Sequence, residues 1–569
     1  MNSVKPIRMP NHVDGPAPDK KTVSASGSGG SAGRVAWLTV RVHADAFRFD
    51  PVGYLQAVGW RLRGLKVRSR NRIAKLAGRS PHAYDLWIAR DEPKVRRAFS
   101  TGHTRSWPTI VPVIDCRELP DAAAETLASL RDDERGHCIM IGGRGERGIV
   151  TIGQPRELAG LIESSGTWIC PLYAGDLLVE GARDLYSAAA ANADGASLIY
   201  ADDDSTDLQG RRVAPHFKPD WNPELFAHHD FLSGSAIVKA TPDQLADLPD
   251  DRWIERLAAL AVERGADPIH VPLVLHHRRC RREPVVPAKP VVKLDTAPSV
   301  SLIVPTRNQV SLLRDCIAGV RKTTYPRLAT IVVDNGSDDP EALAFLEQLS
   351  AEGILVLREP GPFNFSALNN TAVQHARGDF LCFLNNDVEV LDADWLALMV
   401  EPAKRPEIGA VGARLLYPDG TVQHAGVCTG VGGGAGHAHR FQRADDTGYF
   451  ERSRLPQLVT AVTAACLVVA KEKFLTVGGF DEEDFPVAFN DVDLCLKLNA
   501  KGWQSFYEPR ATLIHHESKS RGSDAAKGNR VRFAGELAAL KRKWGTDRHR
   551  DPYHHPQLSP FCEQFSIAV

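Results

Sequence analysis

The stretch from Gly378 to Val390, GDFLCFLNNDVEV, constrains the fold more than any other. Its apolar run from Phe380 to Leu384 stops at Asn385-Asn386-Asp387. A run opened by glycine and too short for a core helix predicts a buried strand of an α/β sheet. A polar triplet at its carboxyl end stands where open α/β sheets collect their ligands. One carboxylate there suits a divalent cation set against a diphosphate. Asn and Asp suit an ordinary turn equally well, so the neighbouring sequence has to decide.

Strand and helix signals alternate from Val300 onward. Val300–Pro305 (VSLIVP), Ala329–Val333 (ATIVV), Ile354–Leu357 and Asp379–Leu384 read as strands. Val310–Arg321, Pro340–Leu349 and Ser366–Ala376 carry helical spacing, the second with proline in its first turn. This order predicts a parallel sheet with right-handed crossovers. An internal repeat is also visible. Trp168–Leu177 (WICPLYAGDL) parallels Phe380–Val388, and Ile110–Ile114 loosely parallels Ser301–Pro305. The first half reads as an eroded copy of the second.

A chain of 569 residues is too long for one core. Residues 1–34, rich in Pro, Ser and Gly, are expected to be disordered, and 35–107 to form a helical, basic region. An α/β domain is expected over 108–280, a Pro-rich linker over 281–298, a second α/β domain over 299–521, and a helix and tail over 522–569. The basic run Arg61–Arg72 is compatible with anionic headgroups, but a solvated helix face is the better reading. A net charge of −1 gives no electrostatic case for nucleic acid. The ten cysteines lack any Cys-x-x-Cys pair, which favours a reducing compartment. The run Leu458–Ala470 is too short to span a bilayer and no signal-peptide core is seen, so a cytoplasmic protein is expected, with peripheral contact at the inner membrane face left open.

Four separated features carry chemistry. Asp334-Asn335-Gly336-Ser337-Asp338-Asp339 ends a strand and can accept from a base or ribose hydroxyl; it also suits a turn with a helix cap. Asn385-x-Asp387 suits Mg²⁺ or Mn²⁺ held with substrate phosphates. Asp491 and Asp493 sit near a helix start, Asp493 as a cap and Asp491 ahead of the helix as a candidate general base. His515 and His516 follow the apolar strand Ala511–Ile514 and offer a metal ligand. The glycines of Gly430–Gly436 precede no Gly-Lys-Ser/Thr, so they are no P-loop and read as a mobile loop or lid.

Taken in order, SLIVPTRN (301–308), VVDNGSDD (332–339), ARGDFLCFLNNDVEV (376–390), AACLVVAKEKFLTVGGFDE (464–482), FNDVDLCLKL (489–498) and HHESKSRG (515–522) resemble family 2 glycosyltransferases of the GT-A fold, a Rossmann-like nucleotide-diphospho-sugar transferase fold. The C-terminal pattern and the tail Lys543–Pro560 resemble bacterial O-antigen and capsule enzymes. The resemblance implies an inverting, metal-dependent transferase in cell-surface polysaccharide synthesis. It would use a nucleotide-diphosphate sugar, UDP- or dTDP-linked, and a saccharide or lipid-linked oligosaccharide acceptor. By position, Asp491 matches the catalytic base, although Asn490 stands where a Glu usually precedes it. Asp387 matches the last Asp of the metal-binding Asp-x-Asp, whose first position is Asn385, and His515 matches the late metal or diphosphate ligand, with His516 a near competitor. Donor binding is implied for Pro305, Thr306, Arg307, Asn308, Asp334, Ser337, Arg358, Asn364, Asn369, Asn385 and Asn386, and Mn²⁺ or Mg²⁺ as cofactor. Ile199–Leu225 with His270–Arg279 resembles the first module of tandem enzymes, here degenerate: its metal motif is reduced to Ala174-Gly175-Asp176, and only Asp250-Asp251-Arg252-Trp253 stands where a base-bearing helix should start. That module is expected to be silent and to serve structure or acceptor binding. The rival reading is a saccharide-binding scaffold without catalysis.

Overall fold

The structure, a computed structural model, describes residues 29–99, 108–143, 145, 148–162, 166–193, 195–517 and 527–569. Most of the segment expected to lack structure lies outside these residues, as does the end of the 515–522 motif. The chain divides into an N-terminal unit, Gly27–Pro284 with His554–Ser559 and Ser566–Val569, and a C-terminal unit containing Val285–Tyr553 and Pro560–Phe565.

The N-terminal unit opens with helices α1 (Gly29–Phe49), α2 (Pro51–Leu62) and α3 (Lys66–Ala77). Its sheet is built from β1 (Ile110–Asp115), β2 (Ile139–Ile141), β3 (Val150–Ile152), β4 (Trp168–Tyr173), β5 (Leu177–Leu178), β6 (Leu198–Thr206), β7 (Arg212–His216), β8 (Ala236–Lys239) and β9 (Ile269–Arg278). The strand order is β3-β2-β1-β4-β8-β6-β9-β5, with β7 on β6.

The C-terminal unit repeats this plan. Its strands are β10 (Val300–Thr306), β11 (Leu328–Asp334), β12 (Leu355–Arg358), β13 (Phe380–Leu384), β14 (Val388–Val390), β15 (Ile408–Leu416), β16 (Val422–His424), β17 (Val427–Thr429), β18 (Ala435–His437), β19 (Gln457–Val459), β20 (Cys466–Ala470) and β21 (Gln504–His515). The order β12-β11-β10-β13-β20-β15-β21-β14 matches the first sheet position for position, with β16 on β15 and β19 on β21. The parallel and antiparallel pairings also match: β4–β8 and β13–β20 are antiparallel, and β6–β9 and β15–β21 are parallel. Trp168 and Phe380 hold equivalent register positions, opposite Ile110 and Val300. The repeat is therefore structural, with the first strands matched one residue earlier than their sequences suggest.

The four strands of the alternating segment pair in parallel, as their order predicts. Only β12, β11, β10 and β13 form a continuous parallel block, and β20 then enters antiparallel to both neighbours. Hydrophobic periodicity reports burial, not strand direction, so the direction of β20, outside that segment, has no sequence signal. Both faces of the second sheet are covered: Leu302, Val304 and Cys382 point into one core, Ile303, Leu381 and Phe383 into the other. Gly378 is required where β13 begins, because a Cβ there would lie 2.5 Å from the backbone nitrogen of Ser301.

Gly430–Gly436 is not a free lid. It forms the β17–β18 hairpin, in which Gly430 N–H donates to Gly434 C=O and Gly432 N–H donates to Pro560 C=O. A Cβ on Gly434 would strike Leu537, so the hairpin is packed against its own unit.

Candidate active site in the C-terminal unit

The loops after β10 and β11 clasp each other. Asp334, fully buried at the end of β11, accepts from the N–H of Ser337 at 2.9 Å and from its hydroxyl. The Ser337 hydroxyl oxygen in turn accepts from Asn308 N–H at 2.7 Å, and the Asn308 side chain bonds Asp338 and the N–H of Asp339. Asn308 has a φ of +52°, a left-handed turn that asparagine tolerates. Arg358 lies 3.5 Å from the second Asp334 oxygen, which makes no hydrogen bond. A buried acceptor of this kind, beside an arginine half exposed at 55%, suits a ligand donor such as a ribose hydroxyl or base N–H. Pro305 and Thr306 end β10, and Arg307 beyond them is exposed.

A second cluster forms where β13 ends. Asn386 Nδ2 donates to Thr306 Oγ1 at 3.0 Å, which ties it to the first cluster. His515 Nε2 lies 3.1 Å from Asp387 Oδ1, both residues being 5% exposed, and the Asn385 amide lies 3.3 Å from the same nitrogen. The pairing of β14 with β21 sets Val388 opposite His515 and so brings Asp387 to the histidine. His516 turns to Glu389 instead, at 3.2 Å. Alternation of neighbouring side chains separates the two imidazoles, and only His515 stands beside Asp387. A divalent cation fits here: neighbouring ligands of one ion bound at about 2.1 Å lie about 3 Å apart, and a carboxylate with an imidazole suits Mn²⁺ at least as well as Mg²⁺.

The third element is the helix α4 (Asn490–Ala500), preceded by Phe489 in the left-handed region at φ +60°. Asp491 lies in its first turn rather than ahead of it. Its Oδ2 accepts from Ala464 N–H at 3.1 Å. One residue on, Ala465 C=O accepts from Asn385 N–H at 3.0 Å. The segment Ala464–Ala465 thus joins the Asp387 loop to Asp491. Burial pushes the Asp491 carboxyl above its ordinary range, against the bonds from Ala464, Thr463 and Val492. Asp493 is not a cap. It is fully buried, accepts from Trp544 Nε1 at 2.8 Å, and pairs with Lys543 at 2.9 Å, which anchors the helix α5 (Lys527–Trp544).

Two implied donor residues have structural partners. Asn364 caps the helix Phe365–His375 by accepting from Ala367 N–H and donates to Glu482 C=O. Asn369, buried in the same helix, donates to Phe365 C=O. Neither bonds the clusters above.

A histidine wall with no signal in the sequence stands beside Thr463. His424 Nε2 accepts from Thr463 N–H at 3.5 Å, and its Nδ1 lies 2.9 Å from His437 Nδ1. Burial holds His424 well below the usual histidine range and His437 down to about 3, so both rings are neutral. No spacing in the sequence signals this pair, because only the β16 and β18 strands bring it together.

The N-terminal unit has the same frame with different chemistry. Asp176 precedes β5 as Asp387 precedes β14, but its partner is Arg278 at 2.9 Å, a fixed guanidinium in place of the His515 imidazole. Burial raises the Asp176 carboxyl against the pull of Arg278. The helix Trp253–Arg264 follows Arg252 at φ +55°, which matches Phe489 and sets buried Ile254 in the place of Asp491. Asp202, His270 and His555 place three ligand atoms within 4.8 Å of one another. Their bonding is that of an ion cluster: His270 lies 3.0 Å from both Asp202 and Asp220, and His555 Nδ1 accepts from Gln557 N–H, which directs its Nε2 proton to Asp202. The lone pairs a metal would need are already engaged.

With this geometry in view, comparisons with known proteins identify the class. Residues 301–438 match the family model "Glycosyl transferase family 2", and the chain carries a family 2 glycosyltransferase domain. The chain is 37% identical over 420 residues to uncharacterized protein y4gI of Sinorhizobium fredii, covering 66% of this chain and 46% of that protein. It is 35% identical over 407 residues to the O-antigen biosynthesis protein RfbC of Myxococcus xanthus, covering 64% of this chain and 31% of that one. It thus spans less than half the length of either relative. The N-acetylglucosaminyl-diphospho-decaprenol L-rhamnosyltransferase of Mycobacterium tuberculosis is 29% identical over 230 residues, 37% of this chain and 73% of that protein. Among solved structures, the mannosyltransferase PcManGT of Pyrobaculum calidifontis, in complex with GDP-Man and Mn²⁺, aligns with a TM-score of 0.34 at 20% identity, over 47% of this chain and 71% of that one.

Proposed function

We propose that the C-terminal unit is an inverting glycosyltransferase that moves a sugar from a nucleotide-diphosphate donor to a saccharide or lipid-linked saccharide during cell-surface polysaccharide synthesis. The observation that carries this reading is the Ala464–Ala465 segment, which bonds both the Asp387 loop and Asp491. In this reading Asp334, Ser337, Asn308 and Arg358 hold the nucleoside. Asp387 and His515 hold Mn²⁺ or Mg²⁺, which when bound neutralises charge on the departing diphosphate. Asp491 takes the proton of the acceptor hydroxyl as its oxygen attacks the anomeric carbon, and its raised pKa brings it closer to the working pH of a general base. UDP- or dTDP-sugars are the proposed donors, and the proposed location is the cytoplasm, at the membrane periphery. The similarity to an O-antigen biosynthesis protein and to an N-acetylglucosaminyl-diphospho-decaprenol L-rhamnosyltransferase supports this direction.

For the N-terminal unit, a cavity of about 290 Å³ supports acceptor binding without catalysis. Six carboxylates and four arginines line it with Tyr173 and Phe231. This lining disfavours a diphosphate and suits a neutral saccharide, whose hydroxyls bond to paired charges and whose ring faces stack on aromatics.

The test is nucleotide release by the purified chain with Mn²⁺ and a panel of UDP-, dTDP- and GDP-sugars. Asp491→Asn is expected to cut turnover by about 10²–10⁴-fold while donor binding, read by calorimetry, survives. An unchanged rate overturns the base assignment; no donor hydrolysis under any condition favours the non-catalytic scaffold.

A further inference from the structure

The N-terminal helices carry a surface that transferase chemistry does not explain. Between Asp50 and Asp85 the chain contains no acidic residue, while Arg61 to Arg79 contains eight lysines and arginines. The structure folds this stretch into the α2–α3 hairpin. Its turn is a helix C-cap in which Gly64, at φ +76°, lets Leu65 N–H reach back to Trp60 C=O at 2.8 Å. Every residue from Arg61 to Arg68 is exposed. Leu62 is 85% exposed, Leu65 43% and Val67 57%. Along α2, Val52 (67%) and Leu55 (60%) share the outward face of Leu62 at helical spacing, opposite buried Gly53 and Ala57.

A solvated basic face accounts for the arginines but not for five exposed aliphatic side chains on the same hairpin. A nucleic-acid face leaves them equally unexplained, because phosphate recognition gains nothing from aliphatic tips. The two features together match one occupant: an interface with anionic headgroups over an apolar layer. We propose that the α2–α3 hairpin docks this protein on an anionic phospholipid bilayer. Leu62, Leu65 and Val67 enter the acyl boundary, and Arg61, Arg63, Lys66 and Arg68 lie at the phosphates. This deepens the peripheral placement proposed above and is independent of the chemistry of the C-terminal unit.

The test is co-sedimentation of the full chain with vesicles of phosphatidylcholine alone or with about one third phosphatidylglycerol. Binding is expected only with phosphatidylglycerol and is expected to weaken as salt rises. The triple variant Arg61→Glu, Arg63→Glu, Lys66→Glu is expected to lose at least about tenfold in affinity. Leu62→Ser with Leu65→Ser is expected to keep low-salt binding and to release at salt concentrations the parent resists. Both sets lie on exposed positions, so Tm and nucleotide release in solution should be unchanged, which separates this outcome from failure of the transferase reading. Equal binding to both vesicle types, or no effect of either variant, overturns the proposal. So does conversion of a dimer to a monomer by the leucine variant with vesicle binding intact, which would assign the face to a second copy of the chain.

Discussion

At the residue scale, burial gives Asp491 a cost in stability that its proposed role as a base accounts for. Its folded pKa is raised, so the folded state binds the proton more tightly than the unfolded chain does. The stabilising contribution is therefore complete at low pH and is lost as pH rises through the folded value. Asp491→Asn removes that cost, and its Tm is expected to equal or exceed the parent's while turnover falls by about 10²–10⁴-fold. A drop in Tm alongside lost activity would point to a structural role. In the parent, the acid limb of the pH–rate profile should lie above the ordinary carboxylate range, since only the ionised group accepts the proton. His515 and His516 allow an equally direct comparison. Substitutions that only disturb the orientation of a metal ligand cost about 10–100-fold in metal affinity, so His515→Ala should raise the half-saturating Mn²⁺ concentration by at least that much. His516→Ala, whose imidazole faces Glu389, should leave it near the parent value.

At the scale of elements, the C-terminal helix α5 is held by charge as well as by apolar packing. The Trp544 indole N–H and Lys543 both reach the fully buried carboxylate of Asp493 in α4, the helix that carries Asp491. Trp544→Phe keeps most of the apolar contact and removes the donor, and should cost about 1–3 kcal/mol in denaturant unfolding. The sequence showed Asp493 only as an acidic residue near a helix start, where capping is the usual role. Its partners lie about fifty residues downstream, and nothing in local patterning couples them. The β17–β18 hairpin reads as a lid in sequence for a related reason: glycine-rich sequence signals conformational freedom, and only the neighbouring Leu537 and Pro560 remove it.

At the scale of the molecule, two sheets of identical strand order carry different chemistry. The N-terminal unit keeps the frame, the left-handed residue before its helix and the carboxylate after its fourth strand, but has Ile254 and Arg278 where a base and a cation site would be needed. Arg278→Ala leaves a buried Asp176 uncompensated and should destabilise that unit by about 3–5 kcal/mol in denaturant unfolding. If the unit is silent, as proposed, the same substitution should leave the rate of donor hydrolysis by the folded protein unchanged.

Much of this was determined by the sequence alone. The strands β10, β11 and β13, the Asp334 and Asp387 loops and the repeat of Trp168 at Phe380 are legible because burial periodicity and strand-end polarity are local properties of the chain. What the tertiary structure decided lies between elements: the antiparallel entry of β20, the placing of His515 rather than His516 beside Asp387, the Ala464–Ala465 bridge to Asp491 and the histidine wall. Each depends on strand register, and register is set by pairing with distant segments rather than by the residues of the strand itself.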